Sequence, residues 1–140
     1  MPGNLDELLK KADALVEGLK GEFEMSADGH IKKLTQLYVT LYQPKNTRED
    51  GAIELRKICH TLKGEAGSFG YALISTIADL FGNYLRETPI ESQKQEAVKS
   101  YIDTFTLVWT QRIQGDGGEI GRQLVLSLMK LNEKLSVPNS

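Results

Sequence analysis

Apolar residues recur at intervals of three and four along most of the chain, the spacing of one face of an α-helix. Leu5, Leu8, Leu9, Ala12, Leu15, Val16 and Leu19 form the first stripe. They predict an amphipathic helix over about 4–20, with Asn4 as N-cap and Gly18 or Gly21 near its end. A second helix opens around Ser26 to Asp28 and turns Ile31, Leu34, Leu37, Tyr38, Leu41 and Tyr42 inward. Gln43-Pro44-Lys45-Asn46 stops it, because Pro44 drives the residue before it out of the helical region. Thr47-Arg48-Glu49-Asp50 resembles a capping box and starts a third helix over about 48–69. Its apolar face is Leu55, Ile58, Leu62, Ala66 and Phe69, and Gly70 suits the left-handed residue that closes a helix.

A fourth helix over about 72–86 carries Leu73, Ile74, Ile77, Ala78, Phe81 and Leu85. Thr88-Pro89-Ile90-Glu91 reads as a helix start, with Thr88 as N-cap, Pro89 at the first helical position and Glu91 reaching back. The fifth helix then runs to about Gln114, with Val98, Tyr101, Ile102, Phe105, Val108, Trp109 and Ile113 as its core stripe. Gly115-Asp116-Gly117-Gly118 breaks the chain, and Asp116 or a neighbour can cap a last helix over about 119–135. That helix is apolar over a wide arc through Ile120, Leu124, Val125, Leu128, Met129, Leu131 and Leu135, so either both its sides are covered or part of it meets another subunit. No alternation of the strand type appears. The fold class expected is all-α: an up-and-down antiparallel four-helix bundle over about 26–114, with additional N- and C-terminal helices packed against it.

Composition narrows the function. At 140 residues the chain is expected to be one domain spanning 1–140, without internal repeats. A formal net charge of −2 gives no global positive field to draw it to nucleic acid or an anionic membrane. The Lys10-Lys11 and Lys32-Lys33 pairs each sit in an amphipathic pattern and read as solvated faces. The rings of the fifth helix lack the interleaved basic residues of a base-stacking platform. No stretch approaches the roughly 20 apolar residues that span a bilayer, and the N-terminus lacks a basic start followed by an apolar run. One cysteine, Cys59, excludes an internal disulfide, suits a reducing compartment and reads as a small apolar residue; with only two histidines, a Cys/His metal site is not expected. His30 reads as a surface residue. A cytoplasmic, monomeric, free-standing protein is the expectation.

The third helix carries the candidate chemistry. Opposite its apolar face, His60, Lys63, Gly64 and Gly67 share one side. Glycine inside a helix costs roughly 1 kcal/mol relative to alanine, and these two cannot serve core packing from that side. The missing side chains are explained if something large must approach the imidazole. His60-Thr61-Leu62-Lys63-Gly64, followed by Ala66 and Gly70, resembles the signature of the histidine-containing phosphotransfer (HPt) domains of multistep two-component relays.

That resemblance implies a histidine that takes a phosphoryl group from the aspartate of one receiver domain and passes it to another. It makes His60 the phosphoacceptor, through Nε2, and lets the Lys63 ammonium offset phosphoryl charge. Gly64 and Gly67 clear the approach, Arg56 and Lys57 suit the acidic surroundings of a receiver's phosphoacceptor, and Ile53 offers an apolar contact. The partners implied are response-regulator receivers or the receiver of a hybrid sensor kinase; Mg²⁺ belongs to the receiver, and this chain needs no cofactor or metal of its own. Two departures stand out. Phe81-Gly82 occupies the place of a Leu-Glu pair whose carboxylate can hold the ring's other nitrogen, and Glu65 replaces a small residue. Two alternatives follow. One is a degenerate adaptor that binds receivers without transfer; the other is a sensor-kinase dimerisation and phosphoacceptor domain. Against the kinase, no acidic residue directly follows His60 and no Gly-rich nucleotide-binding region is present.

Overall fold

The computed structural model describes residues 2–41 and 48–136. It consists of α1 (Pro2–Leu41), α2 (Arg48–Ser68), α3 (Ala72–Glu87), a 3₁₀ turn (Ile90–Ser92), α4 (Gln95–Thr110) and α5 (Gly118–Ser136), with no strand among the described residues. Contacts close into a ring in which α2 meets α1 and α3, and α4 meets α3 and α1, while α5 lies against α3 and α4. Leu34, Leu55, Leu62, Ile74, Ile77, Phe81, Val98 and Phe105 are fully buried inside this ring. The packing expected of Tyr42 and Leu135, the helix stop at 43–46 and the Thr47 cap lie outside the described residues.

Stacked rings organise the interior. Phe81 of α3 stacks on Tyr101 of α4 with centroids 4.6 Å apart. At the end of the bundle beside Gly70, Phe23 of α1 stacks on Phe69 at 4.8 Å and meets Trp109 edge-on at 5.9 Å. Trp109 Nε1 donates to Asp28 Oδ1 across 3.3 Å, so the wet edge of the indole is satisfied where the ring leaves the core.

Three expectations are corrected. The helices expected over 4–20 and from Ser26 are one unbroken helix of 40 residues, α1. Gly18, Gly21 and Gly29 weaken a helix without interrupting its hydrogen bonds, and after Pro2 in its first turn no proline stands in α1 to do so. The first stripe also fails to pack on the bundle, since every described side chain from Asn4 to Leu19 is exposed. Finally, Thr88 and Pro89 do not start α4. Thr88 is extended at φ −101°, ψ 120°, and the helix begins only at Gln95. The reason is Gln93, whose buried side-chain Nε2 donates to Leu85 O at 3.1 Å and Thr88 O at 3.0 Å. These bonds satisfy carbonyls left open at the end of α3, and they hold the chain extended through Gln93 and Lys94.

The α2–α3 corner behaves as expected. Gly70 takes φ +86°, and Tyr71 N–H reaches back to Ala66 O at 2.9 Å in a Schellman-type closure. The 111–117 connection is tied to this corner, because Gly115 N–H donates to Gly70 O at 2.6 Å and Leu73 N–H donates to Gly115 O at 2.7 Å. Asp116 Oδ1 accepts from Gly118 N–H at 2.9 Å and opens α5. On α5, Leu128 is buried while Ile120, Leu126 and Met129 are exposed, so its apolar arc is covered on one side only.

Candidate functional site

Burial of Leu55, Ile58, Cys59, Leu62 and Ala66 turns the opposite face of α2 outward. Ile53, Arg56, Lys57, His60, Lys63, Gly64 and Gly67 are all exposed on it. His60 makes no hydrogen bond or ion pair among the described residues, so no described side chain engages either ring nitrogen. A Cβ at Gly64 would meet nothing within 4 Å, which leaves open space one turn from the imidazole. Gly67 differs. Its Cβ would lie 3.5 Å from Ser75 Oγ of α3, an ordinary contact, so this glycine borders its own neighbouring helix as well as solvent.

Beside the ring, Arg56, His60 and Lys63 of α2 and Asp79, Gly82, Asn83 and Arg86 of α3 line a cleft of about 90 Å³. That is far below the roughly 300–1,000 Å³ of small-molecule sites, so chemistry at this ring depends on what docks over it. Lys63 Nζ pairs with Asp79 Oδ1 at 2.7 Å, both side chains being about half exposed. Such a pair is worth about 0–1 kcal/mol, which an incoming dianion can outbid. Ser75 Oγ donates to Lys63 O at 2.8 Å and clasps α3 to the turn that carries the lysine. Arg86 donates to Asn83 Oδ1, and Lys57 pairs loosely with Glu54 at 3.7 Å. Glu65 accepts from Ser26 Oγ at 3.2 Å, which ties α2 to α1.

The cleft exists because residue 82 has no side chain. Gly82 faces Cys59, whose Cβ would be 3.7 Å from an added Cβ, and the space beyond opens onto His60. Asp79 and Asn83 line the cleft without bonding the ring; one is taken by Lys63 and the other by Arg86. Sequence reasoning passed over Arg86, although its place one turn after Gly82 on α3 carries the signal. Cys59 is buried and its thiol is pushed up to about 12 by burial, so it offers no thiolate near neutral pH. No group of residues able to hold a metal ion occurs among the described residues, and no described helix is long and apolar enough to cross a membrane.

An all-helical bundle with a bare histidine among cations belongs to the class of helical modules that meet their partners through an open face. A family model described as Hpt domain matches residues 5–114, and the chain belongs to the Hpt domain family. Comparison with curated proteins and with solved structures found no match. Hpt domains are phosphocarriers rather than kinases and interact with receiver domains, so this protein has a phosphotransfer-related role in two-component signalling. Helix α5 lies beyond the matched residues.

Proposed function

We propose that the protein is a histidine phosphocarrier of a multistep phosphorelay, shuttling a phosphoryl group between receiver aspartates through His60. The observation that carries this reading is an exposed imidazole without internal partners, one turn from open space at Gly64. In this reading α1 to α4 form one up-and-down antiparallel bundle, working in the cytoplasm as a rigid mount for the ring. The lone pair of His60 Nε2 attacks the phosphorus of a receiver's aspartyl phosphate. The new N–P bond forms as the P–O bond to the aspartate breaks, and the carboxylate leaves with the electron pair. A proton stays on Nδ1, and the reverse sequence delivers the group to the next receiver. The receiver brings Mg²⁺ and the acidic pocket. This chain contributes position and charge, which dominate phosphoryl transfer. Lys63 exchanges Asp79 for phosphoryl oxygens, while Arg56 and Lys57 face the acidic rim and Ile53 adds an apolar contact.

A degenerate adaptor is the second reading, favoured by the missing side chain at Gly82, which leaves no α3 group bonded to the ring. One experiment separates the two. Protein mixed with a labelled phospho-receiver should acquire acid-labile label, and His60→Gln should acquire none. Label that still arrives on His60→Gln would overturn the site. Receiver binding by wild type without any transfer would establish the adaptor instead.

A further inference from the structure

The N-terminal half of α1 has no partner. Leu5, Leu8, Leu9, Leu15, Val16 and Leu19 are each between 53% and 69% exposed along one face of a projecting helix. A lone helical segment of this length is marginal in water, and Gly18 and Gly21, with nothing within 4 Å, weaken it by roughly 1 kcal/mol each relative to alanine. Exposed apolar surface on such a segment marks an interface.

We propose that the occupant is a second copy of this chain, with the two α1 segments paired antiparallel about a two-fold axis at Ala12. Two observations select that arrangement. First, the stripe is spaced symmetrically about Ala12, so Leu5 meets Leu19 of the partner subunit, Leu8 meets Val16 of the partner subunit and Leu9 meets Leu15 of the partner subunit. The smallest residue falls at the crossing, where the backbones come closest. Second, Phe23, Leu34 and Leu41 continue the same side of α1 into the protein's own core. A parallel pair would thrust one bundle into the other on that side. The antiparallel pair sets the bundles at opposite ends, because Phe23 of the partner subunit falls level with the N-terminal end of α1. Charge does not choose the direction: Lys20 shares a flank with Asp6 of the partner subunit, but Lys11 and Asp13, equally far round the helix, face their own counterparts.

The size is adequate. The stripe runs about 21 Å and offers on the order of 600 Å² of apolar surface per copy. That lies at the lower edge of the roughly 600–1,000 Å² per partner of stable complexes, as befits a dimer that dissociates on dilution. The chain alone points to a monomer; the exposed stripe points to this dimer. The inference does not rest on His60, and His60→Gln should leave the assembly unchanged.

Sedimentation equilibrium tests it directly. Wild type at tens of micromolar should show twice the 15.6 kDa chain mass and dissociate on dilution. The double variant Leu8→Asp, Leu15→Asp should weaken association at least 100-fold, with the bundle's unfolding midpoint in denaturant unmoved. Leu8→Met should retain the dimer. A short bismaleimide should link Leu5→Cys to Leu19→Cys in a mixture of the two, while either variant alone gives little product; buried Cys59 stays silent. A chain that remains monomeric at hundreds of micromolar overturns the proposal. So does efficient linking of Leu5→Cys to itself, which would mean parallel pairing.

Discussion

At the scale of single residues, the site depends on which side chains are missing and which are already engaged. Gly64 faces open space inside α2, so Gly64→Gln should preserve helix content and raise the stability of the bundle by about 0.5–1 kcal/mol, the helix-propensity gain over glycine. Transfer from a phospho-receiver should nevertheless slow at least tenfold, measured by rapid-quench labelling; an unchanged rate would remove the steric account of this glycine. Lys63 is held by Asp79, and releasing it costs little because the pair is half exposed. Asp79→Asn should therefore lower stability by no more than about 1 kcal/mol and raise the transfer rate two- to fivefold. Slower transfer in that variant would mean that Asp79 positions the lysine and does not compete for it. The motif made His60, Lys63 and Gly64 legible in the sequence. The Lys63–Asp79 pair and Arg86 were not, because they depend on the rotation of α3 against α2, which a one-dimensional pattern does not specify.

At the scale of elements, helix existence followed from periodicity and helix ends from tertiary bonds. The α2–α3 corner was readable, since Gly70 has the one conformation that closes a helix without cost to a side chain. The start of α4 was not readable, because Thr88-Pro89-Ile90-Glu91 has good capping chemistry that Gln93 overrides with two bonds into the end of α3. The 111–117 connection offers a sharp test. A Cβ at Gly121 would overlap Asp116 O, a backbone atom that cannot step aside without moving the turn that α5 starts from. Gly121→Ala should cost at least about 2 kcal/mol by urea unfolding. A neutral result would mean that this turn is free to shift and does not brace α5.

At the scale of the whole molecule, stability should depend on pH through two buried neutral groups. Burial raises the Cys59 thiol to about 12 and the Tyr101 hydroxyl to about 12, from 9.0 and 10.0 when unfolded. Each holds its proton longer in the folded state, so the stability it contributes is complete below about pH 9 and is lost as pH rises toward 12. Urea midpoints should accordingly hold steady across neutral pH and fall between pH 9 and 12, with a shallower fall in Cys59→Ala. A midpoint flat to pH 12 would show that both groups lose their protons as readily in the folded state as in the unfolded one. The same scale governs α1. Half of one helix belongs to the bundle and half stands outside it, a division invisible in the stripe because both halves carry leucines at helical spacing.

The sequence by itself determined that the chain is helical, which face of each helix is apolar, and that a histidine flanked by glycines stands on a polar face; these are properties of spacing along a single helix. Only the tertiary structure decided that the first two stripes share one continuous helix, that α4 starts late, and that Lys63 meets Asp79 beside a notch at Gly82. The late start of α4 and the Lys63–Asp79 pair are set by contacts between residues distant in the chain, where packing geometry selects among partners that the sequence leaves equally available; the exposed first stripe is defined by the absence of such contacts.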